Sequence, residues 1–301
     1  MSGIPIEACS PVTRPHTRSP GGIARGHCRT IVCLISLAGW WTAAAGRAGA
    51  AEVSSQPQTV QAQPADTVER RSAAALRGFA ATVQPLATQA ALDTFARGGN
   101  AIDAAVAAGL TLGVVDGHNS GIGGGCFILI RLAGGGLVCI DGRETAPAAA
   151  TRDMYLRDGG PVDALSRTGP LAVGVPGALA AYARAVEQFG RLPLATAFAA
   201  GIRHAEEGFP IDLVYARKLK ATAADLAGFP TSQQILLAPD GTPWPEGHVL
   251  VQRDLAATYR KLAAAGTDWF YRGPFATETA AFMRRSGGLL TEADFSGYRV
   301  V

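Results

Sequence analysis

G-G-N-A-I-D-A-A-V-A-A at residues 98–108, G-I-G-G-G-C-F at 121–127 and D-G-R-E-T-A-P at 141–147 follow one another in a single stretch, and their order decides how the chain folds. Asn100 is placed to cap a helix, with Asp103 in its first turn. That helix, expected over 101–114, is apolar nearly all round apart from Asp103 and Thr111, so most of its surface must be buried. A glycine-rich loop follows, then a hairpin with strands over 126–131 and 137–141. The period of two puts Leu137, Cys139, Asp141 and Arg143 on one face of the second strand, and Val138 and Ile140 on the other. An arginine is thereby delivered where a strand ends, beside a backbone of glycines.

Gly121-Ile122-Gly123-Gly124-Gly125 invites comparison with phosphate-binding loops, but those run from a strand into a helix N-terminus. Here the loop leaves a helix and enters a strand, and no Lys-Ser or Lys-Thr follows, which argues against nucleotide binding. Glycines in such a connection are expected to supply unusual φ angles, and an all-glycine wall also lets a ligand approach closely. Arg143 is the candidate substrate-binding residue, since a guanidinium there suits bidentate capture of a carboxylate. An internal ion pair with Asp141 or Glu144 is the competing reading of the same residue. His118, with Asp116 and Asn119, reads as a loop-ordering group. His204 and His248 carry no recognisable signature, and no Ser-His-Asp set stands out.

Working outward, 85–97 reads as a helix stopped by Gly98-Gly99, and 79–83 and 171–175 as strands. Helices are expected over 177–189, 194–207, 253–264 and 276–285, with a capping-box start at Thr291–Asp294 and a loop-rich stretch over 211–243. Counting from the hairpin turn expected at 133–136, Leu132 faces Leu137 and Cys139 faces Ile130. Cys126 then lies roughly 13 Å from Cys139, too far for a disulfide, and both are expected as buried free thiols. No His/Cys cluster suggests a metal, and no cofactor is expected.

The 301 residues carry a net charge of +3, but five arginines against one acid in residues 1–50 hold more than all of it, leaving −1 for the rest. The basic balance belongs to the leader and gives no support to a nucleic-acid partner. Residues 1–50 read as a signal peptide: an arginine-bearing segment, the apolar run 31–41, then small residues ending Ala48-Gly49-Ala50. That run is shorter than the about 20 residues a membrane span needs. Residues 51–75, rich in Ser, Gln, Pro and Thr, read as a flexible linker, and 76–301 as one αβ domain.

Eight blocks, in one order, resemble the large subunit of the γ-glutamyltransferase (glutathione hydrolase) family. Besides the three already quoted they are A-T-Q-A-A-L-D at 87–93, G-V-P-G at 174–177, A-E-E-G-F at 205–209, W-F-Y-R-G at 269–273 and G-G-L-L-T-E-A-D-F at 287–295. The resemblance implies an α+β fold, the αββα sandwich of N-terminal-nucleophile hydrolases, present here in part. It implies a self-processing enzyme in which a threonine opening the small subunit attacks a γ-glutamyl amide such as glutathione and passes the acyl group to water or an amino acid. It makes Arg143 the holder of the substrate's α-carboxylate, and it implies a periplasmic or secreted protein. The threonine is not among these 301 residues, so no catalytic residue is assigned within them and this polypeptide by itself is expected to be inactive. The alternatives are a related amidase or acylase for another carboxylate-bearing substrate, and a non-catalytic binding remnant.

Overall fold

The computed structural model describes residues 31–35, 72–75 and 78–301. Apart from the backbone of Ile31–Ile35 and Ser72–Ala75, the expected leader and linker lie outside the described residues. The elements in order are β1 (Ile31–Ile35), β2 (Ser72–Ala75), β3 (Gly78–Ala81), α1 (Pro85–Ala96), α2 (Ala101–Val115), β4 (Cys126–Arg131) and β5 (Leu137–Gly142). There follow β6 (Leu156–Arg157), β7 (Gly160–Pro161), α3 (Asp163–Arg167), α4 (Ala178–Phe189), α5 (Leu194–Ala197), α6 (Ala199–Glu207) and β8 (Phe209–Pro210). The chain continues through α7 (Leu213–Ala227), α8 (Pro230–Leu236), β9 (Val249–Leu250), α9 (Arg253–Ala265), α10 (Asp268–Tyr271), α11 (Pro274–Ser286) and α12 (Glu292–Gly297).

Helix α2 is the centre of the core, as its apolar sequence requires. Ile102, Val106, Leu110 and Val114 are buried, and α1, α4, α5 and α6 pack around it. Its start is a reciprocal capping box: the Asn100 side chain accepts from the amides of Ile102 and Asp103, and the Asp103 carboxylate accepts from the amide of Asn100. The same two side chains reach across the fold. Asn100 Nδ2 donates to the Phe189 carbonyl at 2.6 Å, and Asp103 accepts from the amides of Arg191 and Leu192.

β4 and β5 pair antiparallel, and the backbone of β1 pairs with the other edge of β4. Ile128, Ile130 and Ile140 are buried in the core that contains α2 and α4. The opposite face is bare: Leu129 is 42% and Leu137 67% exposed. The described residues thus form a helical layer on one sheet, an α+β arrangement that is part of an αββα sandwich.

Several expectations need correction. The hairpin register is one residue away from that expected: Arg131 faces Leu137, and Cys139 faces Leu129 rather than Ile130. Leu132 closes the loop by donating its amide to Gly136 O, and Gly135 takes φ +91°, so the turn has three residues, 133–135, where four are expected. Cys126 is buried and Cys139 is exposed, both as free thiols, so the expectation of two buried thiols holds for Cys126 only. Residues 171–175 hold no regular strand. A 3₁₀ turn occupies Pro170–Ala172, and only Val175 pairs, in an isolated bridge to Thr145. The expected helix at 194–207 is broken at Phe198, and the supposed loop at 211–243 contains α7 and α8. Asp212 caps α7 through the Tyr215 amide, but the helix buries little besides Tyr215 and Leu219, so its apolar stripe is too thin to read as a period.

Candidate functional site

Arg143 is the residue after β5, on the side of the strand opposite the core. Its main chain is held on both sides. The amide donates to Asp141 Oδ1 at 2.9 Å, and the carbonyl accepts from the Tyr298 hydroxyl at 2.8 Å. The side chain is half exposed. Its guanidinium carbon lies 5.7 Å from the centroid of the Phe127 ring, within cation–π range, and its Nε is 3.8 Å from Glu144 Oε2. Both readings of Arg143 therefore find a structural counterpart. The pairing with Glu144 is long and solvent-exposed, which makes it energetically weak. Among the described residues the contacts seen for this side chain are the Glu144 carboxylate and the Phe127 ring, and the side chain is 55% exposed.

The glycine loop lies against this strand end. None of its glycines has a positive φ, so the expectation of unusual φ angles is corrected. Their function is the absence of a Cβ. A Cβ on Gly125 would stand 2.5 Å from Glu144 Oε2, 2.7 Å from the Gly142 carbonyl and 2.9 Å from Arg143 Cα. Gly124 O accepts from the amides of Gly177 and Ala178, both at 3.0 Å, and so joins the loop to the start of α4. Gly123, in contrast, faces open space with nothing within 4 Å of its Cβ position. The loop is a seat for Glu144 and the Arg143 backbone, with its middle glycine open to an incoming group.

His118 and Asp116 lie just before this loop. Asp116 is buried at the end of α2, accepts from Asn119 Nδ2, and has its Oδ1 3.2 Å from His118 Nε2. The imidazole meets the Tyr215 ring edge-on at 4.9 Å. Burial, only partly offset by Asp116, pushes the His118 pKa down; burial likewise pushes that of Asp116 up. The two side chains are packed together, but neither ring nitrogen of His118 makes a hydrogen bond among the described residues, so the expectation that it orders the loop by hydrogen bonding is corrected. His204 lies on α6, and His248 stacks on Trp244 at 3.7 Å. Among the described residues no histidine is hydrogen-bonded to a serine or threonine hydroxyl, and no group of three His, Cys, Asp or Glu side chains is arranged to hold a metal.

What sequence reasoning missed is the support behind the arginine. W-F-Y-R-G and T-E-A-D-F meet in an aromatic cluster where Phe270 faces Phe295 edge-on at 5.9 Å; Phe275 stacks on Phe270 at 4.1 Å, and Tyr298 on Tyr271 at 5.8 Å. Asp294 joins the capping box of α12 and accepts from the amide of Ala148, tying α12 to the segment after Arg143. No spacing rule connects these residues to 143; only the shared aromatic character hinted that they pack together.

The site is open. A groove of about 270 Å³ between α4 and the 298–300 segment, lined by Arg184, Arg272 and Tyr298 among others, does not include Arg143. Arg143 itself stands half exposed at the strand end.

Residues 87–301 match the family described as Gamma-glutamyltranspeptidase. The chain is 38% identical over 228 residues to the glutathione hydrolase proenzyme of Escherichia coli (strain K12), covering 75% of this chain and 39% of that protein. It is 41% identical over 241 residues to the Acylase ACY 1 proenzyme of Pseudomonas sp. (strain V22), covering 78% of this chain and 43% of the relative. Among solved structures it is similar to Helicobacter pylori gamma-glutamyltranspeptidase, with a TM-score of 0.72 and 36% identity over 74% of this chain and 64% of that one. Cephalosporin acylase from Bacillus halodurans is also similar, with a TM-score of 0.65 and 34% identity over 72% of this chain and 41% of that one. The chain thus spans about two-fifths of the length of the curated relatives it matches.

Proposed function

The chain belongs to the gamma-glutamyltranspeptidase family, and from that premise we propose that it is the large-subunit part of a self-processing enzyme that cleaves γ-glutamyl amides such as glutathione. A threonine at the head of a small subunit, cut from the same precursor, attacks the amide carbonyl; water or an amino acid then takes the acyl group. In this reading Arg143 binds the α-carboxylate of the γ-glutamyl group. The observation that carries it is the half-exposed guanidinium of Arg143, whose main chain is held at the strand end by two hydrogen bonds.

The remaining parts of the reading follow from the same geometry. The bare face with Leu129 and Leu137 takes the sheet that the small subunit contributes, completing the sandwich and supplying walls for the site. In this reading the chain contributes the carboxylate holder, and the attacking threonine belongs to the small subunit. The leader pattern in the sequence supports a periplasmic or secreted location.

A second reading keeps the fold and changes the acyl group. The acylase relatives are as similar to this chain as the glutathione hydrolases are. Arg143 accepts any substrate with a suitably placed carboxylate, including a glutaryl amide. The test is a panel of γ-glutamyl and glutaryl anilides on the complete two-subunit protein, with and without Arg143→Ala. The main proposal expects γ-glutamyl turnover, a KM raised at least about tenfold by the substitution, since a charged hydrogen-bonded contact is at stake, and little glutaryl turnover. Preferential glutaryl turnover would establish the acylase reading. An Arg143→Ala protein with unchanged KM would refute the assignment of Arg143.

A further inference from the structure

We infer that Tyr298 is a positioning residue for Arg143, setting where the carboxylate-binding guanidinium stands. The inference rests on the reading of Arg143 given above and adds to it a group that reaches the arginine from the far end of the described chain.

The ladder between β4 and β5 ends where Cys126 faces Gly142, so the carbonyl of Arg143 lies one residue beyond the last strand pair. Past the end of the ladder that carbonyl has no strand partner, and a donor from elsewhere can fix it. The Tyr298 hydroxyl provides it at 2.8 Å, across a separation of 155 residues. The phenol fits only because residue 177 is glycine: a Cβ there would collide with the Tyr298 hydroxyl and with the Gly142 carbonyl.

The phenol is itself fixed. Tyr298 is 8% exposed and its ring stacks nearly parallel, at 12°, on Tyr271. The Tyr271 hydroxyl donates to the Pro176 carbonyl at 2.9 Å and accepts from the Ala180 amide at 3.2 Å. Three residues past Tyr298, Val301 exchanges two backbone hydrogen bonds with Asp141, at 2.7 and 3.0 Å. The 298–301 segment therefore grips the strand end at both Asp141 and Arg143. A guanidinium on a long side chain binds a carboxylate well only when its own backbone does not wander, so this grip is a device for preorganisation.

The test is Tyr298→Phe in the complete two-subunit protein, which keeps the ring and its stacking and removes only the donor. One lost hydrogen bond corresponds to about two- to tenfold, expected as a rise in KM for a γ-glutamyl anilide, with kcat little changed and thermal midpoint close to that of the parent. Placed on top of Arg143→Ala, the same substitution is expected to produce no further rise. A Tyr298→Phe protein with unchanged KM, while Arg143→Ala raises it, overturns the inference and leaves Arg143 as the carboxylate holder. An equal rise in both backgrounds also overturns it, because Tyr298 would then act on the fold at large. If Arg143→Ala alone leaves KM unchanged, the underlying reading falls first and this inference falls with it.

Discussion

Gly123 and Gly125 are two residues apart in one loop, and the structure asks opposite things of them. At Gly125 the added methyl of alanine meets two backbone atoms, Gly142 O and Arg143 Cα, besides the Glu144 carboxylate, and backbone cannot step aside. Gly125→Ala is expected to cost about 1–3 kcal/mol, the range for overpacking a well-filled site. Gly123→Ala, facing open space, should stay within about 0.5 kcal/mol of the parent. Urea midpoints of the two variants check both values, and equal midpoints would contradict the division of roles. Both glycines look alike in the sequence. The loop's content was legible, since glycines beside an arginine at a strand end imply close approach, but the approaching partner was not, because Glu144 against Gly125 is a tertiary contact. The side of the strand on which Arg143 lies was legible too, since a period of two survives a slip in register.

Among the elements, α2 shows how a helix can be both a local and a long-range device. Asn100→Ala removes the one oxygen that accepts from two capping amides, together with the bond to Phe189 O, so a loss of about 1–2 kcal/mol is expected. Asp103→Ala strands the amides of Asn100, Arg191 and Leu192, and a loss of about 3 kcal/mol is expected, at the upper end for unsatisfied buried donors. Denaturant unfolding should rank the two in that order. The helix, its cap and its burial were readable because an apolar run after Asn-Ala-Ile-Asp has few other solutions. The hairpin was readable as a hairpin, but its register hung on whether Gly-Gly-Gly at 134–136 turned in three residues or four, and only the φ of Gly135 decides that. Helix α7 was unreadable for the reverse reason: too little of it touches the core to leave a period.

For the whole molecule, acid should weaken the fold through its buried histidines. The His118 pKa is lowered in the folded chain, chiefly by burial and secondarily by Lys218, against the pull of Asp116 and Asp212. His204 is lowered too, by burial and then by Arg203. The unfolded chain therefore binds protons near its ordinary histidine pKa that the folded chain still refuses. Stability present above that value is lost as pH falls through the lower folded one. Asp116, raised by burial, acts with the opposite sign, its contribution fading as pH rises through its folded value. The urea midpoint is thus expected to drop between about pH 7.5 and about pH 5.5, and His118→Gln to flatten that drop, with His204 keeping part of it. An unchanged slope in the variant would remove His118 from the account.

The Asn100–Asp103 staple stands apart from the site. Its hydrogen bonds all end on backbone between 100 and 103 or between 189 and 192, and none reaches Arg143 or the glycine loop. A change confined to that block is therefore expected to alter how the fold assembles and to leave Arg143 and the glycine loop where they stand. The block speaks for the scaffold, and what the guanidinium holds has to be asked of other residues.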